Sequence, residues 1–129
     1  MTFHHIGVAC RDLDRELRAL AALGYSADSE PFVDPLQRIR GLFVSGPGPR
    51  LELLAPAGDA SPVTIWLERG IRMYHQAYEV DNLSDAIARF VAGRAIVVSP
   101  PTPAVAFGNR EVAFLMLPNM QLIELISTR

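Results

Sequence analysis

Two stretches of this chain, LELLAP at Leu51–Pro56 and LIELIS at Leu122–Ser127, each set one glutamate among bulky aliphatics in a strand-like run. They belong to a longer repeat. His5 overlies His75, Leu13 overlies Leu83, Leu17 overlies Ile87 and Leu20 overlies Phe90, an offset of 70 residues; at Glu52 and Glu124 it has drifted to 72. Any one of these matches is cheap. An ordered series of strand, helical stripe and acid-bearing strand reads as a duplication, and a duplicated unit constrains the fold to two like modules.

Each module reads as β-α-β-β-β. FHHIGVAC (Phe3–Cys10) is a short apolar run and reads as a strand. Leu13, Leu17, Leu20 and Leu23 then follow helical spacing, with Asp12 as N-cap and Gly24 as stop. Strand-like pieces follow near Glu30–Val33, in RIRGLFVSG and in RLELLAP, the last two split by the turn GPGP. In the second half MYHQAYEV is a strand, Asn82 caps a stripe of Leu83, Ile87, Phe90 and Val91, and AIVVSPP, EVAFLMLP and MQLIELIS are strands. The expected organisation is one α+β domain over 1–129. Module 1 spans about 1–56, a linker with a short helix at Pro62–Arg69 about 57–71, and module 2 about 72–129.

Side chains on a strand alternate between faces. Ile6, Val8, Cys10, Leu51 and Leu53 should pack under the first helix, leaving His5 and Glu52 on the opposite face with Phe3, Gly7 and Ala9. Ile123 and Leu125 repeat this under the second helix, so Glu124 faces with His75. Gly7, Ala9 and Ala77 leave space there, as the floor of a cleft would. Buried carboxylates need partners. Two imidazoles and two carboxylates, one of each per module, suit a single divalent ion such as Zn, Ni, Co, Mn or Fe. The ordinary alternatives are a packed or hydrogen-bonded histidine and a glutamate paired with Arg38, Arg40 or Arg50. His4 has no matched partner, since Tyr74 takes its place, and is read as packing.

Composition narrows the class. Half the residues are hydrophobic and a fifth charged, as in a soluble globular domain, and a net charge of -2 gives no electrostatic reason to expect nucleic acid or an anionic membrane. No apolar stretch reaches the roughly 20 residues of a membrane span. The start MTFHHIGVAC lacks the form of a signal peptide. The single cysteine, Cys10, excludes an intrachain disulfide and makes the cytoplasm the expected compartment, with the thiol in buried packing.

HHIGVA, LELLAP, YHQAYEVDNL and LIELI, in this order and spacing from Phe3 to Ser127, resemble the vicinal oxygen chelate superfamily. Within it the chain is most similar to the glyoxalase I and methylmalonyl-CoA epimerase branch, and SPVTIWLERGIRMYHQAYEVDNL resembles the epimerase linker and second module. The resemblance implies a cupped, mostly antiparallel sheet around a metal, with His5, Glu52, His75 and Glu124 as ligands, and a homodimer. It also implies an enzyme, a lyase or an isomerase or epimerase. The metal would hold a carbonyl or enediolate oxygen of a carbonyl or thioester substrate. Glu124 or Glu52 would move the adjacent proton. Arg72, Tyr78, Asn109 and Arg110 are candidates to orient the substrate; surface solvation for the arginines and core packing for Tyr78 are the competing readings. Epimerases usually carry Gln where Glu52 stands, and glyoxalase I enzymes carry Glu. The second acid–base Glu of the epimerases falls near Leu36, with Asp34 close by, and the glutathione-contacting Arg of glyoxalase I falls at Ala9. The alternatives are an antibiotic-binding protein of the same superfamily and a ring-cleaving dioxygenase.

Overall fold

The structure, a computed structural model, describes residues 1–129. It is α+β, with nine strands paired mostly antiparallel and three α-helices. The chain divides into two compact units, His5–Tyr74 and Met1–His4 with His75–Arg129. No helix is long and apolar enough to cross a membrane.

In the first unit, β1 (Thr2–Ala9, which enters it at His5) lies parallel to β5 (Leu51–Pro56), which lies antiparallel to β4 (Ile39–Ser45). The short strands β2 (Ser26–Ala27) and β3 (Phe32–Asp34) both pair with β4. Helix α1 (Leu13–Ala21) starts where the Asp12 side chain accepts from the Arg15 N–H. Leu13, Leu17 and Leu20 pack on a core of Val8, Cys10, Leu42, Val44, Leu51 and Leu53. Leu23 corrects the sequence reading: it lies beyond the helix end and is 64% exposed. Cys10 is another correction, since β1 stops at Ala9; its thiol is nonetheless buried, and burial, then the Glu16 carboxylate, push it up to about 11.

The turn between β4 and β5 fixes their register. A Cβ on Gly46 would sit 2.6 Å from the Tyr25 ring, so only glycine lets the chain wrap it this closely. The Tyr25 hydroxyl donates to the Pro49 carbonyl at 2.8 Å. Helix α2 (Pro62–Glu68), capped by Ser61, covers the other face of this sheet: Val63 packs with Ala9 and Leu54, and Trp66 stacks on Tyr74 at 5.7 Å.

The second unit repeats the plan. Strand β6 (Met73–Val80, from His75 onward in this unit) lies parallel to β9 (Leu122–Ser127), β9 antiparallel to β8 (Glu111–Met116), and β8 antiparallel to β7 (Ile96–Pro103). Helix α3 (Leu83–Ala92) is capped by Asn82, whose side chain accepts from the Asp85 N–H. Leu83, Ala86, Ile87 and Phe90 cover a core of Ala113, Leu115, Ile123 and Leu125. Val91 leaves the expected stripe and is 46% exposed.

The expected β-α-β-β-β order holds in the second unit; in the first, the strand expected near Glu30–Val33 is the short β3, and a further two-residue strand, β2, precedes it. Pro31 has no N–H to donate to a ladder, and Ser29, just before it, spends its hydroxyl on the Phe43 N–H at 2.9 Å. In the second unit three prolines sit in β7 itself, where register shifts around Ser99 absorb them.

Candidate metal centre

Strand pairing places each histidine beside its glutamate. In the first unit Gly7 pairs with Glu52, so Glu52 lies beside the position two residues beyond His5, on the same face. His5 Nε2 is 3.1 Å from Glu52 Oε1. In the second unit Ala77 pairs with Glu124 in the same parallel relation, and His75 Nε2 is 3.5 Å from Glu124 Oε1. The four residues are 0%, 3%, 3% and 4% exposed in the order His5, Glu52, His75, Glu124.

Each pair has an aromatic neighbour that the sequence reading missed. Phe43 on β4 lies directly across from Glu52 and edge-to-face with His5, ring centroids 5.3 Å apart. Phe114 on β8 lies directly across from Glu124 and edge-to-face with His75 at 5.2 Å. The signal was present: GLFVS and VAFLM put the two rings at matching places, 71 residues apart, between the offsets of the histidines and glutamates.

These donors fit a divalent ion. Imidazole nitrogen and carboxylate oxygen are the mixed ligand set that Zn and its neighbours accept. Two carboxylates taken out of water call for positive charge, and a dication supplies it. The four side chains are a group able to hold a metal ion.

Two of the three arginines offered as partners for a buried glutamate, Arg50 and Arg40, are engaged elsewhere. Arg50 grips the Asp28 carboxylate with Nε at 3.0 Å and a terminal nitrogen at 2.8 Å, and its guanidinium lies over the Phe43 ring at 4.1 Å. Arg40 reaches the Arg11 carbonyl. The four candidates for orienting a substrate are placed as follows. Arg72 donates through Nε to the Ala9 carbonyl at 2.9 Å and forms an ion pair with Glu16. The Tyr78 ring packs against the core under α3, and its hydroxyl donates to Gln76 Oε1 at 2.8 Å. Asn109 is exposed in a turn at φ 66°, its N–H on the Ala104 carbonyl. Arg110 is a strut: one terminal nitrogen lies 2.9 Å from both Glu79 Oε2 on β6 and the Ser127 carbonyl on β9. Asp34 is buried, and its Oδ1 accepts from the N–H groups of Leu36 and Gln37, closing a turn that leaves the Leu36 side chain exposed. His4 packs edge-to-face on Phe107 at 5.4 Å.

Known proteins share this plan. The methylmalonyl-CoA epimerase of Dictyostelium discoideum mitochondria is 26% identical over 126 residues, 95% of this chain and 75% of that protein. The ethylmalonyl-CoA/methylmalonyl-CoA epimerase of Cereibacter sphaeroides is 25% identical over 87% of this chain and 85% of its own length. A solved methylmalonyl-CoA epimerase of Streptomyces coelicolor, in complex with 2-nitronate-propionyl-CoA, superposes with a TM-score of 0.81 at 25% identity, covering 100% of this chain and 99% of that one. Residues 4–114 match the model of the glyoxalase/bleomycin resistance protein/dioxygenase superfamily, and the chain belongs to that family.

Proposed function

We propose that this protein is a metal-dependent epimerase acting on a 2-substituted acyl thioester of the methylmalonyl-CoA kind. The observation that carries it is the pair of buried His–Glu couples set at the same register in two repeated units. The epimerase relatives along nearly the whole chain supply the reaction class. In this reading His5, Glu52, His75 and Glu124 hold one divalent ion, and the two units act as a single domain. When bound, the ion supplies Lewis acidity to a carbonyl oxygen, which makes the neighbouring carbon acid.

The chain's own part is proton movement and exclusion of water. Glu124 takes the proton from the carbon next to the thioester carbonyl, and Glu52 is the second carboxylate able to hold or return one. Phe43, Phe114 and the α2 residues packed on Ala9 and Leu54 make the surroundings of the donors apolar, which strengthens each charge interaction there. The relevant assembly in this reading is a homodimer, which sedimentation at micromolar concentration checks: monomer alone would remove it.

A second reading, a glyoxalase-type lyase acting on a hemithioacetal, rests on Glu52, the carboxylate of that enzyme type. One assay separates the readings. In deuterium oxide with divalent metal, a racemising thioester gains deuterium at C2, whereas a lyase substrate is consumed to a new thioester. The epimerase reading predicts metal-dependent deuterium uptake by methylmalonyl-CoA. No uptake by any 2-substituted acyl thioester or hemithioacetal, together with tight metal-free binding of an antibiotic, would hand the protein to the binding branch of the family.

A further inference from the structure

The two histidines have a freedom that strand geometry leaves open. The terminal torsion of an imidazole is broad and roughly two-fold, so the backbone alone does not decide which nitrogen meets the carboxylate. In each unit one ring stands where it can decide. Phe43 and Phe114 occupy the cross-strand place next to Glu52 and Glu124, where side chains on one face touch. On the other side of each glutamate the paired residue is small, Gly7 or Ala77. The carboxylate therefore has a wall on one flank and room on the flank where its histidine lies. Each phenylalanine also meets that histidine edge-to-face, at interplanar angles of 78° and 86°, the geometry aromatic quadrupoles prefer.

We infer that Phe43 and Phe114 are positioning residues of the two donor pairs, each ring setting the plane of its histidine and the lean of its glutamate so that Nε2 and Oε1 converge before an ion arrives. The inference rests on the metal-site reading above. It makes the phenylalanines part of what was duplicated. Under the helices the core is filled by residues of the far face, such as Leu42 and Leu115.

Phe114 is half-buried and so is the better test. Metal-free protein is titrated with Co(II), whose visible bands report coordination directly and need no substrate. Phe114→Leu keeps apolar volume and loses the ring; Co(II) affinity should fall about 10- to 100-fold, the range for groups that orient metal ligands, and the bands should shift. Phe114→Tyr keeps the ring and should stay within about threefold of the parent, a small fraction of that range. Leu115→Val, on the opposite face, should leave affinity and bands unchanged even where it lowers the melting temperature. Should Phe114→Leu fold poorly, Phe43→Leu poses the same question in the other unit. The inference is overturned if the ring-less variants bind Co(II) with parental affinity and bands while His75→Ala has lost it. If His75→Ala binds like the parent, the metal-site reading has failed and takes the inference with it.

Discussion

The first unit holds His5 and Glu52 at 3.1 Å, the second His75 and Glu124 at 3.5 Å, and in both the glutamate pairs with the residue two beyond the histidine. Four consecutive strands carry the likeness: β2, β4, β5, β1 in one order and β7, β8, β9, β6 in the other. Away from the donors the units part. Where the first has Ala9 beside Leu54 under helix α2, the second has Glu79 beside Ile126, tied down by Arg110. Phe43 lies beneath a guanidinium. The outer strand is broken into β2 and β3 in the first unit and continuous in the second. Register, a short inner strand and an acid across from a phenylalanine are what placing the donors needs, and those survive the duplication. The edges and the cover over the sheet face are free to differ.

The largest expected effect asks whether the two glutamates are equivalent. Glu124→Gln should lower α-proton exchange by about 100- to 10,000-fold, the usual contribution of a general base. Glu52→Gln should retain metal and most activity if that side chain only holds the ion, and should lose exchange to the same degree as Glu124→Gln if it is also a base. Exchange rates by mass spectrometry separate the two.

The cores give a closer comparison. Leu53 and Leu125 occupy matched positions and are both fully buried, under α1 and α3 respectively. Each truncation to Ala should cost about 2–5 kcal/mol in denaturant unfolding. If one of them costs less than about 1 kcal/mol, well under that range, the units are not packed alike.

Cys10 sharpens the comparison at its smallest scale. Its counterpart in the second unit is Val80, a buried aliphatic, which says that the thiol serves as packing. Burial pushes it up from 9.0 to about 11, so the folded state holds the proton more tightly than the unfolded chain does. That contribution to stability is fully present below pH 9.0 and is lost as pH rises through about 11. Alkylation at pH 8 should accordingly be much slower in native protein than in urea; equal rates would show an accessible thiol.

Much of this arrangement was legible in the sequence because it follows from a period of two and a repeat. Alternation alone separated Ile6, Val8, Leu51 and Leu53 from His5 and Glu52, and the structure puts the first set under α1 and the second set together. What escaped has no period. β2 and β3, of two and three residues, are too short to alternate recognisably, and Leu23 continued a helical spacing that ends at Ala21. Arg110 and Arg72 look like free cations in a string of letters, since their partners Glu79 and Glu16 are distant in sequence. A phenylalanine in an apolar strand, such as Phe43 in GLFVS or Phe114 in VAFLM, carries no mark in the sequence of the side chain it will touch.

Counting the metal in the parent and in two variants tests the central claim most directly. One ion served by both His–Glu pairs predicts close to one divalent ion per chain, and its loss in His5→Ala and in His75→Ala alike. Two ions per chain with one lost in each variant would make the pairs separate sites, and full retention of metal in both variants would contradict the assignment altogether.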